Sequence, residues 1–140
     1  MLDQYKAKQI PEPIVRRIPQ AHELWEVVST YHYVLHTGEI LTIRKGFRFD
    51  GASVPRLFWT LVVAPAEIIG SALIHDACYD AEIVSRKAAD QLLRETMFLE
   101  GCSDYQQIMV YWAVRLFGWI YWRRHTPDSI AAARDFVKLH

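Results

Sequence analysis

At Pro65 the hydrophobic pattern changes its period, and that change limits the folds open to the chain. The stretch "LWEVVSTYHYVLHTGEILTIRKGFRFD", from Leu24 to Asp50, is rich in β-branched and aromatic residues. Thr37-Gly38 separates two such runs, the signature of a hairpin or short antiparallel meander. From Ala66 to Tyr79, Ile69, Ala72, Leu73 and their neighbours instead recur at helical spacing. A pattern written for one period buries its apolar face poorly in the other. The expectation is an α+β fold: an N-terminal antiparallel β-meander, then a helical core of two antiparallel helices and an aromatic third helix.

Punctuation supports this division. Residues 1–22 hold Pro11, Pro13 and Pro19 among charges and read as an extended arm with no helix of its own. Residues 23–64 carry the meander and the loop "DGAS", and residues 65–140 the helices. Ser85 is placed to cap a second helix that ends at Gly101; a third runs from about Asp104 to Trp122, and a short fourth follows Pro127. With 140 residues, half of them apolar, the chain suits one domain with a core of its own.

Charge and cysteine usage exclude some functions. Sixteen basic and sixteen acidic residues cancel, so no overall field draws in nucleic acid, and none is expected as a partner. Two cysteines are too few for a disulfide scaffold and are expected to be reduced. The opening "MLDQYKAKQIPEP" lacks the apolar core of a secretory signal, so synthesis in the cytoplasm with no ordinary secretion route is expected. The apolar run from Ile108 to Trp122 contains Arg115 and falls short of the ~20 residues that span a bilayer. It reads either as a buried core helix or as a helix lying on a membrane surface, the latter suggested by its aromatics and the following Arg123 and Arg124.

Chemistry concentrates in "ALIHDACYD", residues 72–80. On a helix His75 and Tyr79 share a face, with Asp76 and Asp80 on a neighbouring line. A histidine pointing inward can act as general base near neutral pH, and a carboxylate one residue along can hold a hard cation beside it. Asp90 flanks the apolar stripe of the next helix, either at its solvent edge, the commoner case, or turned inward; antiparallel packing of the two helices would bring it near His75 as an orienting group. Asp50-Gly51 reads either as an ordinary Asp-Gly turn or as a loop that directs backbone carbonyls to one point, as hard-cation sites require. The polar set equally suits a structural network that pins two helices. A thiol nucleophile at Cys78 is a further option, against the commoner role of a buried cysteine as a small core residue.

The ordered segments "GFRFDGASVPRLFW", "ALIHDACYD", "SRKAADQLLRETMFLEG" and "MVYWAVRLFG" resemble the phage- and prophage-associated family known as domain of unknown function 1353. The run His75-Asp76-Ala77-Cys78-Tyr79 is also similar to the His-Asp-x-Cys-Tyr helix of secreted phospholipases A2, and Asp50-Gly51-Ala52-Ser53 with Pro55 to the loop preceding it in their small bacterial and fungal relatives. That resemblance implies His75 as the base, Asp76 as a calcium ligand with Asp50 and Gly51 of the loop, Asp90 as the group holding the histidine, and Tyr79 as its support. It implies calcium-dependent hydrolysis of a phospholipid or related acyl ester at a host membrane. The other reading is a non-enzymatic virion or tail accessory, or a binder of a phage or host protein, in which the same network is structural.

Overall fold

The computed structural model describes residues 9–19, 24–51, 53–63 and 65–140; residues 1–8 and 20–22 of the expected arm lie outside them. In β3 (Tyr31–Val34) the tyrosines Tyr31 and Tyr33 are buried, while His32 and Val34 face outward. That is the period-two pattern of a sheet with one face on the core. β3 pairs antiparallel with β4 (Ile40–Ile43) around the Thr37-Gly38 turn, where Gly38 takes a positive φ. β1 (Val15–Arg17), β2 (Trp25–Val27) and β5 (Arg48–Phe49) form a second antiparallel sheet in the order β1-β2-β5. The described part of the proline-rich arm is thus extended and contributes an edge strand.

Helix α1 (Arg56–Leu61) follows the Asp50-Gly51 turn, and a 3₁₀ turn (Pro65–Ile68) leads into α2 (Ile69–Ala81). Of the residues of α2 only Asp80 is not buried. A helix apolar on nearly every side is stable only when covered on every side. Here α3 (Arg86–Leu99), α5 (Pro127–Arg134) and strands of both sheets enclose it. Its C-terminus is held by Arg134, whose Nε donates to the Ala81 carbonyl at 2.7 Å and whose Nη2 donates to that of Glu82 at 3.2 Å.

Ser85 caps α3 as expected, its hydroxyl accepting from the Ala88 N–H at 3.1 Å. Gly101, at φ +90°, lies just beyond the helix end. α4 (Asp104–Trp122) opens with a Ser103/Gln106 capping box. It is neither wholly buried nor wholly on the surface. Gln107, Val110, Ala113, Val114 and Gly118 pack inward, whereas Tyr105, Ile108, Trp112, Leu116, Trp119 and Ile120 are exposed. The inward row meets Val54, Ile68, Leu93 and Met97 in a core separate from the one around α2.

The C-terminal part is not purely helical. After α5, β6 (Val137–Leu139) pairs with β4 and completes the sheet β3-β4-β6, with Ile43 opposite Val137. A three-residue strand has too short a pattern to announce itself, and its partner is remote in sequence. Among the described residues, no helix is long and apolar enough to cross a membrane.

Candidate active site

The buried polar residues of α2 meet partners from a loop and two other helices. Asp90, from α3, places Oδ1 2.8 Å from His75 Nε2 and accepts the Tyr79 hydroxyl on the same oxygen at 2.6 Å. Its other oxygen faces Arg115 Nη1 at 2.8 Å, from α4, and Arg86 Nη1 at 3.4 Å. The side chains of His75 and Asp90 have no exposed surface. The antiparallel packing of α2 and α3 therefore brings together the three residues His75, Tyr79 and Asp90. Arg86 ties the third helix in by donating to the Val114 carbonyl at 2.9 Å. Gly118 makes the approach of α4 possible, since a Cβ there would lie 2.5 Å from the Tyr79 hydroxyl.

This environment fixes the protonation of Asp90. Burial alone would push the Asp90 carboxyl up, but hydrogen bonds from His75, Tyr79 and Arg115 and the His75 charge outweigh it and hold Asp90 below the usual carboxylate range. An ionised Asp90 accepts, so His75 Nε2 carries a hydrogen, and in the neutral ring Nδ1 is the basic nitrogen. That nitrogen faces Ser53 Oγ at 2.8 Å.

Asp76 lies on the other side of Ser53. Its Oδ2 accepts the Gly51 N–H at 2.7 Å, and its Oδ1 accepts from the Ser53 hydroxyl. Gly51 has φ +70°, and the Trp59 indole N–H donates to its carbonyl at 3.0 Å. Burial pushes the Asp76 carboxyl up to about 7, with the Asp80 and Asp50 charges acting in the same direction. Asp80 is pushed up to about 6, mainly by burial. It accepts from the Tyr121 hydroxyl at 3.2 Å, with His125 Nε2 at 3.8 Å.

The donor set around Asp76 does not fit a hard cation as arranged. Both carboxylate oxygens accept hydrogens, and Gly51 offers its N–H while its carbonyl is taken by Trp59. Such cations need several free oxygens converging on one point. Among the described residues no group of three His, Cys, Asp or Glu side chains is placed to hold a metal. Asp50 is near enough to add its charge to Asp76 and Asp80. Cys78 is buried, which pushes its thiol up to about 12 and leaves it a core residue.

Three participants carried no role in the sequence reading: Ser53, Arg86 and Arg115. Arg115 had a usable signal. A charge within an apolar helical run is costly unless paired, and an acid on a neighbouring helix was the natural partner. Ser53 had none beyond its place two residues after Gly51.

The fold is thus an α+β scaffold whose central buried helix presents a histidine between a carboxylate and a serine. The chain belongs to the family described as a protein of unknown function, DUF1353, which matches residues 25–114. The match takes in Ser53, His75, Asp76, Tyr79, Arg86 and Asp90 and stops one residue before Arg115. The chain is similar to the uncharacterized protein y4jT of Sinorhizobium fredii, at 31% identity over 99 residues. That alignment covers 68% of this chain and 29% of the relative, so the chain spans under a third of that protein's length. No solved structure matches it.

Proposed function

We propose that this chain is a phospholipase-A2-like hydrolase of acyl esters in a phage or prophage setting, acting on a phospholipid or related lipid ester. The observation that carries this reading is the contact between Asp90 and His75, supported by Tyr79 on the same carboxylate oxygen. An acid that fixes one imidazole nitrogen leaves the other as a general base of defined direction, the arrangement ester hydrolysis requires. The exposed apolar row of α4, followed by Arg123 and Arg124, supports a lipid surface as the place of action.

The test is release of fatty acid from mixed phosphatidylglycerol and phosphatidylethanolamine vesicles, for the wild type and His75→Ala, with calcium or with a chelator. Product above the variant is expected. If no condition gives any, the hydrolase reading is to be dropped. A requirement for calcium would mean that Ser53 and Gly51 leave Asp76 on binding.

A second reading is favoured by a specific observation, the complete burial of the His75 and Asp90 side chains. Under it the protein is a virion or tail accessory, or a binder of a host factor, and the network serves to pin α2, α3 and α4. The same vesicle experiment separates the two.

A further inference from the structure

We infer that Ser53 is the nucleophile of this site, that His75 is its base through Nδ1, and that Asp90 positions the base from Nε2. The inference rests on the hydrolase reading above and goes past it, because the group that attacks the ester is then the protein's own hydroxyl and not a water molecule.

Two distances define the row: Ser53 Oγ to His75 Nδ1 at 2.8 Å, and His75 Nε2 to Asp90 Oδ1 at 2.8 Å. The serine, histidine and acid follow the roles of a hydrolase triad with the two ring nitrogens exchanged, Nδ1 toward the serine and Nε2 toward the acid. The place beside Nδ1 that an activated water would take holds Ser53 instead.

Ser53 is 1% exposed, and it lies at the inner wall of a route to substrate. It lines an open groove of about 380 Å³, with Pro55, Phe58, Phe117, Ile120 and Arg124 among the walls. The groove is apolar along most of its length, which suits an acyl chain, and Arg124 offers a positive charge to an anionic head or a developing oxyanion. Of the groups in the polar row it is Ser53 that borders this groove; His75, Asp76 and Asp90 do not.

Ser53 has one hydrogen and two acceptors near it, His75 Nδ1 and Asp76 Oδ1. When Asp76 is protonated it donates to Ser53 Oγ, and the serine hydrogen turns to His75. Protonation of Asp76 thus frees the serine hydrogen for the base. It also removes a negative charge that would oppose the oxyanion.

The reaction balances without a metal. Ser53 Oγ forms a bond to the ester carbonyl carbon as its proton passes to His75 Nδ1. The bond to the alcohol oxygen then breaks, and that oxygen takes the proton from Nδ1, leaving an acyl-serine. Water attacks the acyl carbon and gives a proton to Nδ1. The Ser53 oxygen departs and recovers that proton, releasing a carboxylic acid.

The experiment treats the full chain with an alkyl fluorophosphonate and reads intact mass and peptide mass. Ser53 displaces fluoride, so one adduct is expected, located at Ser53 and absent in His75→Ala. Ester turnover in Ser53→Ala is expected to fall about a hundredfold or more. The labelling of wild-type protein does not depend on whether that variant folds. An adduct at Ser53 with inert vesicles supports the nucleophile and removes phospholipid as the substrate. Vesicle hydrolysis with no adduct, and with Ser53→Ala still active, keeps the hydrolase reading with water as attacking group and overturns the role of Ser53. Absence of both adduct and turnover overturns both.

Discussion

Asp90 reaches His75 across the α2–α3 interface at 2.8 Å, while its second oxygen holds Arg115 of α4 at the same distance. One buried carboxylate therefore joins three helices. Removing its charge leaves Arg115 and Arg86 facing a neutral group, and losing one partner of a buried ion pair costs about 3 kcal/mol or more. Asp90→Asn is expected to lose stability on that scale and to lower the thermal midpoint by about 10 °C or more. Calorimetry at pH 7 checks it; an unchanged midpoint would remove Asp90 as the junction of the fold.

Gly118 makes a sharper test, because two effects oppose each other. Replacing a helical glycine by alanine contributes about 1 kcal/mol through propensity alone. The new Cβ would lie 2.5 Å from the Tyr79 hydroxyl and 3.2 Å from Arg86 Nη1, and overpacking of this kind costs about 1–3 kcal/mol. Tyr79 is completely buried and has little room to yield, so the clash is expected to win. Gly118→Ala should melt lower than the wild type in circular dichroism, where an exposed helical site would give the reverse.

Much of this site was legible in one dimension because its parts are local. His75 and Tyr79 are one helical turn apart, and Asp90 follows within the next helix, so period and a short link suffice to bring them together. The segregation of strands and helices was legible for the same reason. Ser53 was not, because its place depends on the left-handed turn at Gly51 and on an N–H bond to Asp76. β6 was hidden by distance along the chain, since nothing near Val137 signals pairing with Ile43. The outward face of α4 was ambiguous because aromatic residues occupy both its sides, and only the packing of Val110, Val114 and Gly118 shows which side is covered.

The Asp76 carboxyl sets a pH dependence with a definite sign. Its pKa is raised from the ordinary carboxylate value to about 7, mainly by burial, so between those limits the folded state binds more protons than the unfolded one. Its contribution to stability is therefore fully present at low pH and is lost as pH rises toward and past 7. Asp90 acts oppositely, its support being lost as pH falls below the ordinary carboxylate range. Asp76→Asn can accept from Gly51 and donate to Ser53, imitating the protonated acid. The variant is expected to show a flatter denaturant midpoint between pH 5 and pH 8 and to exceed the wild type at about pH 8. Parallel curves for the two proteins would show that Asp76 is not the titrating group.

Trp112 and Leu116 test the lipid surface separately from the chemistry. Both are exposed on α4, at 55% and 59%, so replacing them by serine removes little that the folded protein buries, and the melting midpoint should barely change. At a membrane, burying side chains of this size contributes about 1.5–3 kcal/mol each. The double variant Trp112→Ser with Leu116→Ser should therefore bind anionic vesicles at least tenfold more weakly in cosedimentation. Labelling of Ser53 by a soluble fluorophosphonate should be unaffected, since neither residue lines its groove. Equal vesicle binding by both proteins would remove this face of α4 from the membrane contact and leave the ester chemistry to be judged on its own.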